Sequence, residues 1–195
     1  MNVGEYDKAK ILLDQALLMA YSINDIITLV RTYIIMAKVS IKKGDYTECI
    51  ESCDQGLAIY EKNKKNEISI VKFNCNKILL FNKGMALLKM KHFSQVQEIV
   101  EQGLSLSKEN ETHTINFNVL GHLMTLDDDT STNYIENIAI PHYMSSMNNF
   151  KALDMCRELE QHYKKKKLKK KELAISVTMQ KIYEEVFMSD VDFGE

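Results

Sequence analysis

Apolar residues recur every three to four positions along most of the chain, which is the spacing of one face of an α-helix. In "AKILLDQALLMA", near the start, alanines and leucines repeat at these intervals. The pattern predicts an all-α protein with about nine helices, over residues 5–22, 26–43, 46–62, 67–90, 93–108, 112–126, 131–147, 150–164 and 168–188. Thr130 and Ser131 can cap the seventh helix, and Pro141 should kink it or split it in two.

A longer pattern repeats on top of the helical one. A small residue is followed two positions later by an aromatic, and then by small or medium side chains at intervals of 3, 4 and 3. The copies are "GEYDKAKILLDQALLMA" (4–20), "GDYTECIESCDQGLAIY" (44–60) and "KHFSQVQEIVEQGLSLS" (91–107). A looser fourth copy, "NNFKALDMCRELEQHYK" (148–164), keeps Phe150, but its small residues Ala152 and Cys156 come one position early.

This spacing suits a stack of helical hairpins. A glycine such as Gly44 ends a helix where the backbone must take the left-handed conformation. The aromatic residue, Tyr6, Tyr46 or Phe93, then fills the corner between helices, and small side chains let two helix axes approach closely.

The pattern resembles the tetratricopeptide repeat, over at least residues 4–109 and more weakly over 111–188. The resemblance implies a right-handed α-solenoid of antiparallel helix hairpins. Successive copies begin at positions 4, 44, 91 and 148, so every interval exceeds the roughly 34 residues of the ordinary repeat. We expect residues 1–195 to form a single repeat domain, with overlapping units over 4–62, 26–108 and 112–188.

The composition agrees with this prediction. One proline and seven glycines are too few for a sheet protein, which needs frequent turn residues. Lys plus Arg is 25 and Asp plus Glu is 27, a net charge of −2, which argues against a protein that wraps duplex DNA. No signal peptide or membrane-spanning apolar run is evident, so we expect a cytoplasmic protein without membrane contact.

Chemical signals are weak. Cys49 and Cys53 lie one helical turn apart, but no second ligand pair accompanies them, so we interpret all four cysteines as buried thiols in a reducing cytoplasm. No phosphate-binding loop, nucleophile elbow or histidine pair at ligand spacing occurs. We therefore expect no enzyme activity, no metal and no cofactor. The lysine run 164–171 is interpreted as a solvated turn between helices.

Stacked hairpins offer an inner surface on which extended peptides commonly bind. Arg31 and Lys38 can hold a carboxylate, and asparagine amides can pair with a peptide backbone in either sense. If Gly121 is the close-packing glycine of the sixth helix, Asn118 and His122 face the same inner surface as these residues. The predicted peptide-binding residues are Arg31, Lys38, Asn74, Asn82, Asn118 and His122.

The first segment reads as the second helix of a hairpin. Leu13, Ala16, Leu17 and Ala20 would face a first helix that the sequence does not contain. Another subunit can cover that face, or the natural chain can extend further in the N-terminal direction, and we favour the extension.

The long repeats, cysteine usage and asparagine-lined surface together resemble one group of proteins. These are the peptide-sensing quorum-sensing regulators of Gram-positive bacteria and their phages, of the Rap, NprR, PlcR, PrgX and Rgg type, with the arbitrium receptors. The stretch "YIENIAIPHYMSSMNNFKALDMCRELEQHYKKK" is similar to the last repeat of that group.

The resemblance implies the ligand-sensing half of a peptide-regulated transcription factor, a homodimer that contacts DNA only through a missing N-terminal domain. The partner would be a short signalling peptide. The alternative hypothesis is a stand-alone adaptor that binds a partner-protein segment without any switch.

Overall fold

The computed structural model describes residues 3–188, apart from the side chains at positions 3, 4, 68, 70, 187 and 188. Over this range the chain forms eleven α-helices, one π-helical segment and no strand. The elements are α1 (Val3–Ser22), α2 (Ile26–Lys43), α3 (Tyr46–Asn63), α4 (Ile68–Lys72), α5 (Cys75–Lys89), α6 (Phe93–Leu106), α7 (Glu111–Met124), α8 (Asp129–Tyr134), the π segment (Ile135–Ala139), α9 (Ile140–Ser145), α10 (Asn149–Lys165) and α11 (Lys169–Met188). The predicted all-α helical-repeat fold is confirmed.

The chain divides into two compact units, Met1–Gly121 and His122–Glu195. The first holds α1 to α6 and most of α7, and the second holds the end of α7 and α8 to α11. The sequence predicted one domain over 1–195, whose two ends lie outside the described residues. The boundary falls near the end of α7, inside that predicted domain.

One turn geometry joins helices at five places. At the first repeat corner, the Gly44 N–H (φ 87°) donates to the carbonyl of Ile41 at 3.1 Å. The Asp45 N–H donates to the carbonyl of Ser40 at 2.9 Å, and these two bonds satisfy carbonyls at the end of α2. A new helix begins two residues after each positive-φ position. Those positions are Asn24, Gly44, Lys91, Met147 and Lys167.

The fourth copy is in register with the others when its positive-φ residue is aligned in place of its aromatic. Met147 occupies the corner position, and Asn149 begins α10. Phe150 therefore lies one position past the residue equivalent to Tyr46 and Phe93, and it is 76% exposed. Ala152 and Cys156 fall three and seven residues after the helix start, and both are buried. The one-position offset in the sequence therefore belongs to Phe150, because backbone conformation, and not the aromatic, fixes the register.

One hydrophobic core cluster of the first unit is built from α2, α3 and α5. Its buried members are Val30, Ile34, Ala37, Cys49, Cys53, Tyr60, Cys75, Leu79 and Ala86. All four cysteines are free and buried, which confirms the interpretation as buried thiols. Burial raises the pKa of the Cys156 thiol in the second unit to about 11, so that thiol is protonated at neutral pH.

The corner aromatics are covered to different degrees. Tyr46 packs against the core of the first unit, and Tyr6 is half-buried. Phe93 begins α6 in the equivalent position, but 47% of its surface is exposed. The prediction that an aromatic fills each corner therefore holds for Tyr46 and only in part for Phe93.

The predicted helix over 67–90 is broken in two. α4 ends at Lys72 and α5 begins at Cys75, with Asn74 between them in the left-handed conformation (φ 52°). Such a residue cannot continue a right-handed helix, and asparagine tolerates the conformation better than most side chains. Asn74 is therefore the residue that sets the start of α5.

Pro141 changes the helix around it without ending it. The N–H of Ile140 donates to the carbonyl of Ile135, five residues back, and residues 135–139 form a π-helical turn. Proline has no N–H to donate, and its ring crowds the preceding turn. The wider π turn accommodates the proline within a helical segment. The sequence had predicted a kink or a split at this position.

The cap of α8 is Asp128. Its carboxylate accepts from the Thr130 N–H at 3.0 Å, so the predicted capping by Thr130 or Ser131 is wrong. The Ser131 hydroxyl lies 3.1 Å from Nδ1 of His122 and 2.9 Å from the Thr125 hydroxyl. Ser131 therefore ties the end of α7 to α8 within the second unit.

The apolar side chains of α1 lie on two faces. The face that the sequence predicted to be uncovered, Leu13, Ala16, Leu17 and Ala20, is half-buried to buried, since α1 packs against α2. That prediction is wrong in its choice of face. The exposed large apolar residues of α1 are instead Ile11, Leu12, Leu18, Met19 and Tyr21.

Candidate peptide-binding surface

α2 presents a polar stripe opposite its buried face. Arg31, Ile35 and Lys38 follow one another at intervals of four and three residues, and all three are exposed. Intervals of three and four place side chains on one face of a helix. We call these three residues the α2 stripe.

The two cations of the α2 stripe have no carboxylate within ion-pair distance among the residues that the structure describes. Other lysines of the first unit are paired: Lys43 with Asp7 at 2.9 Å and Lys83 with Asp54 at 2.6 Å. The α2 stripe is therefore a place where positive charge remains available to an anionic group.

Arg31 lies against the start of α5. Its guanidinium carbon is 5.5 Å from the centre of the Phe73 ring, within the range of a cation–π contact. Burial raises the pKa of the Cys75 thiol, and the nearby Arg31 charge lowers it in part. The structure thus brings Arg31 close to the segment that contains Asn74, another predicted residue.

Asn82 is a buried amide with an unused donor. Its side chain is 6% exposed, and its Nδ2 has no hydrogen-bond partner in the structure. Its backbone carbonyl accepts from the Cys49 thiol at 3.7 Å. Leaving a buried amide donor unsatisfied costs about 1–3 kcal/mol, so this group requires a functional or structural explanation.

The corner register relates α5 to the α2 stripe. Because Gly44 and Lys91 occupy equivalent corners, residues 47 positions apart are equivalent. Asn82 is the counterpart of Ile35, and therefore lies on the face of α5 that corresponds to the α2 stripe. Asn74 precedes α5 and has no such counterpart on the stripe, because the break at Phe73 and Asn74 takes it off the helix face.

The prediction that Asn118 faces the inner surface assumed that Gly121 is the close-packing glycine of its helix. A Cβ added to Gly121 would lie 3.8 Å from Val100, which is ordinary van der Waals contact, so close packing does not require a glycine there. The close approach occurs at Gly103, where a Cβ would lie 2.2 Å from the Phe117 ring. Asn118 is half-buried on α7, and its role stays a prediction.

His122 belongs to the second unit and is held by its own neighbours. Its ring stacks on Tyr134 with 4.3 Å between ring centres, and Nδ1 lies 3.1 Å from the Ser131 hydroxyl. Burial lowers the pKa of His122, and the Asp128 charge raises it in part. Its proposed ligand contact stays a prediction, as does that of Lys38, which is exposed on α2.

Two side chains of the surface were not predicted from the sequence. Ile35 lies four residues after Arg31, so helical spacing places it on the same face. It was not predicted because an isoleucine is usually taken as a core residue. Phe73 carried no usable signal, because the break between α4 and α5 leaves its ring 52% exposed beside Arg31, and the periodicity predicted one continuous helix there.

The fold is an all-α helical repeat similar to that of tetratricopeptide-repeat proteins. Residues 30–63 match the family model of the tetratricopeptide repeat. That segment runs from the second turn of α2 to the last residue of α3, so one whole corner, with Gly44 and Tyr46, lies inside the matched repeat.

The fold is similar to the apo form of the quorum sensor NprR from B. thuringiensis, with a TM-score of 0.64 and 17% sequence identity. The match covers 87% of this chain and 49% of that protein, so the chain spans about half the length of NprR. At this identity the likeness concerns the fold. A comparison with curated protein sequences finds no match.

Two further findings concern residues 3–188. No group of three or more His, Cys, Asp or Glu side chains in this range is arranged to hold a metal ion. No helix there combines the length and apolar character that a bilayer crossing requires.

Proposed function

We propose that the chain is the ligand-sensing half of a peptide-regulated bacterial transcriptional regulator, and that it binds a short signalling peptide on the α2 stripe and the corresponding face of α5. The observation that carries the proposal is Asn82, a buried amide whose Nδ2 has no partner. A peptide backbone carbonyl supplies the acceptor that this donor lacks.

The chemistry of the α2 stripe suggests which peptides fit. Arg31 and Lys38 carry positive charge without a carboxylate partner among the described residues, so they favour a peptide C-terminus or an acidic side chain. Ile35 and Phe73 are about half exposed and offer apolar contacts beside those charges. A short peptide with one apolar residue near a carboxylate satisfies both features.

The likeness to NprR supports a sensing role, since that protein is described as a quorum sensor. In this proposal the chain acts in the cytoplasm, and contact with DNA belongs to a separate N-terminal domain. Peptide binding would regulate that domain by a population shift, which requires that the peptide bind one conformation more tightly than the other.

Calorimetry with short peptides encoded beside the gene tests the proposal. We expect a wild-type complex, and we expect Asn82→Ala to weaken it by about 1–3 kcal/mol, because the peptide carbonyl loses its donor. Asn137→Ala is the matched control, since Asn137 is an exposed amide of the second unit that pairs with Asn133. It should leave the affinity unchanged.

Absence of binding by any such peptide would overturn the sensing proposal and favour the adaptor alternative, in which the same surface holds a partner-protein segment. Equal loss of affinity in Asn82→Ala and Asn137→Ala would remove Asn82 from the site. An unchanged affinity in Asn82→Ala would do the same.

A further inference from the structure

We propose that the corner between α10 and α11 binds the surface of an anionic membrane, without any segment of the chain crossing the bilayer. Seven of the eight residues from Lys164 to Lys171 are lysine, in a chain whose net charge is −2. All eight are exposed, and they form the end of α10, the corner at Lys167 and the start of α11. We call residues 164–171 the lysine corner. It belongs to the second unit, and the proposal does not depend on the proposed peptide site.

Most charges of the lysine corner are not neutralised within the protein. Lys166 is paired with Asp127 at 2.9 Å, and Lys171 lies 4.0 Å from Asp129 and 5.3 Å from the centre of the Tyr163 ring. The other five lysines have no ion pair among the residues that the structure describes. They are Lys164, Lys165, Lys167, Lys169 and Lys170. A cluster of this size attracts an anionic lipid surface, since each lysine close to such a surface adds to the binding.

The lysines at the start of α11 work against the stability of that helix. Lys169–Lys171 lie in its first turn, where the helix dipole disfavours positive charge. Glu172, in the same turn, compensates only one of them. Leu168 precedes α11 and has no side-chain acceptor for the first N–H groups, whereas Asp45 caps α3. An external anion that approaches this turn relieves the repulsion among its charges.

Apolar side chains beside the lysines favour a membrane over a nucleic acid. Leu168 is 43% exposed within the lysine corner, and Leu173 (67%) and Val177 (47%) are exposed on α11. Lys169, Leu173 and Val177 are spaced four residues apart and share one face of the helix. A lipid surface suits both kinds of side chain, because phosphates attract the lysines and the acyl boundary receives the apolar groups. Residues 164–177 contain no arginine to read bases and no aromatic to stack on them.

Surface binding does not require a membrane-spanning segment. The sequence predicts no membrane contact because it contains no apolar run long enough to cross a bilayer, and no helix within residues 3–188 has that character. Basic side chains with a few apolar neighbours can nevertheless hold a protein at the headgroup level. We therefore expect a reversible contact whose strength depends on the lipid charge.

Co-sedimentation of the full chain with lipid vesicles tests the proposal. One set of vesicles contains phosphatidylcholine alone, and the other has half of that lipid replaced by phosphatidylglycerol. We expect binding to the anionic vesicles only, and we expect it to weaken as the salt concentration rises from about 0.1 to 0.5 M. Equal binding to both sets, or no binding to the anionic set, would overturn the proposal.

Replacing two lysines locates the contact. Lys169→Gln with Lys170→Gln should weaken vesicle binding about 25-fold, at about fivefold for each lysine. Lys62→Gln with Lys65→Gln is the matched control, because it makes the same charge change at exposed residues of the first unit. The control should leave the affinity unchanged. Equal loss in the two double variants would mean that only the net charge matters, and would remove the lysine corner from the contact.

Leu173→Gln separates a membrane from a nucleic acid. It should weaken vesicle binding about fivefold, because the leucine loses its contact with the acyl boundary. Leu12→Gln is the matched control, since Leu12 is a similarly exposed leucine (65%) on α1, and it should bind as wild type does. A short DNA duplex is the second probe. Tighter binding to the duplex than to the anionic vesicles, or vesicle binding that Leu173→Gln leaves unchanged, would contradict the membrane assignment.

Discussion

Gly103 fixes the distance between α6 and α7. A Cβ at that position would lie 2.2 Å from the Phe117 ring, and an aromatic ring cannot move aside as the end of a flexible side chain can. A Cβ at Gly84 would likewise lie 2.3 Å from Leu120, but there the neighbouring atom is a leucine methyl carbon. Single hydrogen atoms in place of methyl groups thus determine how closely these helices pack.

Gly103→Ala should therefore destabilise the protein by about 1–3 kcal/mol, because the ring and the helix must separate. Gly121→Ala is the control, since its Cβ would meet Val100 at 3.8 Å. Alanine favours helix over glycine by about 1 kcal/mol, so this variant should be neutral or slightly more stable. Urea unfolding measures both. A Gly103→Ala variant as stable as Gly121→Ala would contradict the close packing at Gly103.

Which residues could be predicted from the sequence depended on whether their helix is regular. Arg31 and Lys38 were predicted because α2 is continuous around them, and they lie on one exposed face. Asn74 was assigned to the same kind of face, but it sits in the break before α5 with φ 52°. Phe73 could not be predicted, since only the tertiary contact with Arg31 explains the exposed ring.

At the scale of elements, the corners between helices share their backbone geometry although their residue types differ. Five corners share one backbone geometry, and a glycine occupies only one of them. Lys91 and Met147 take the left-handed conformation at a cost that glycine avoids. The repeat could be recognised from its glycine and aromatic positions, but the register of the fourth copy could not, because Met147 carries no turn signal.

Lys91→Gly should stabilise the protein by about 0.5–1 kcal/mol, because it removes the strain of a side chain at φ 63° while adding some chain entropy to the unfolded state. Glu98→Gly, at an exposed position inside α6, should instead cost about 1 kcal/mol. Chemical denaturation distinguishes the two. Loss of stability in both variants would contradict the corner geometry at Lys91.

Two partly buried histidines, His122 and His162, predict that the stability of the second unit depends on pH. Burial lowers the pKa of His122 and that of His162, so the unfolded state binds protons more readily than the folded state. Their contribution to stability is complete above the unfolded histidine pKa of about 6.5. It is lost as the pH falls below that value.

We therefore expect the free energy of unfolding to fall between about pH 7 and pH 5, and His122→Gln to reduce that slope, because glutamine does not titrate in this range. Denaturant titrations at a series of pH values measure the slope. His92→Gln is a suitable control, since His92 is exposed in the first unit. An equal slope in wild type and His122→Gln would contradict the assignment.

For the whole molecule, the structure shows a helical-repeat fold in two compact units. The first unit carries the matched tetratricopeptide repeat, the α2 stripe and Asn82. The second unit contains its own hydrogen-bonded cluster around Ser131. The helical pattern was sufficient to predict the fold class. The boundary near Gly121 was not predictable, because α7 runs through it as one helix.

The central claim is that the α2 stripe and the corresponding face of α5 bind an extended peptide. Hydrogen–deuterium exchange of the full chain, with and without a binding peptide encoded beside its gene, tests this most directly. Peptide binding should slow exchange in Ile26–Lys43 and Cys75–Lys89 and leave Asn149–Lys165 unchanged. Protection confined to the second unit, or no protection under saturating peptide, would contradict the claim.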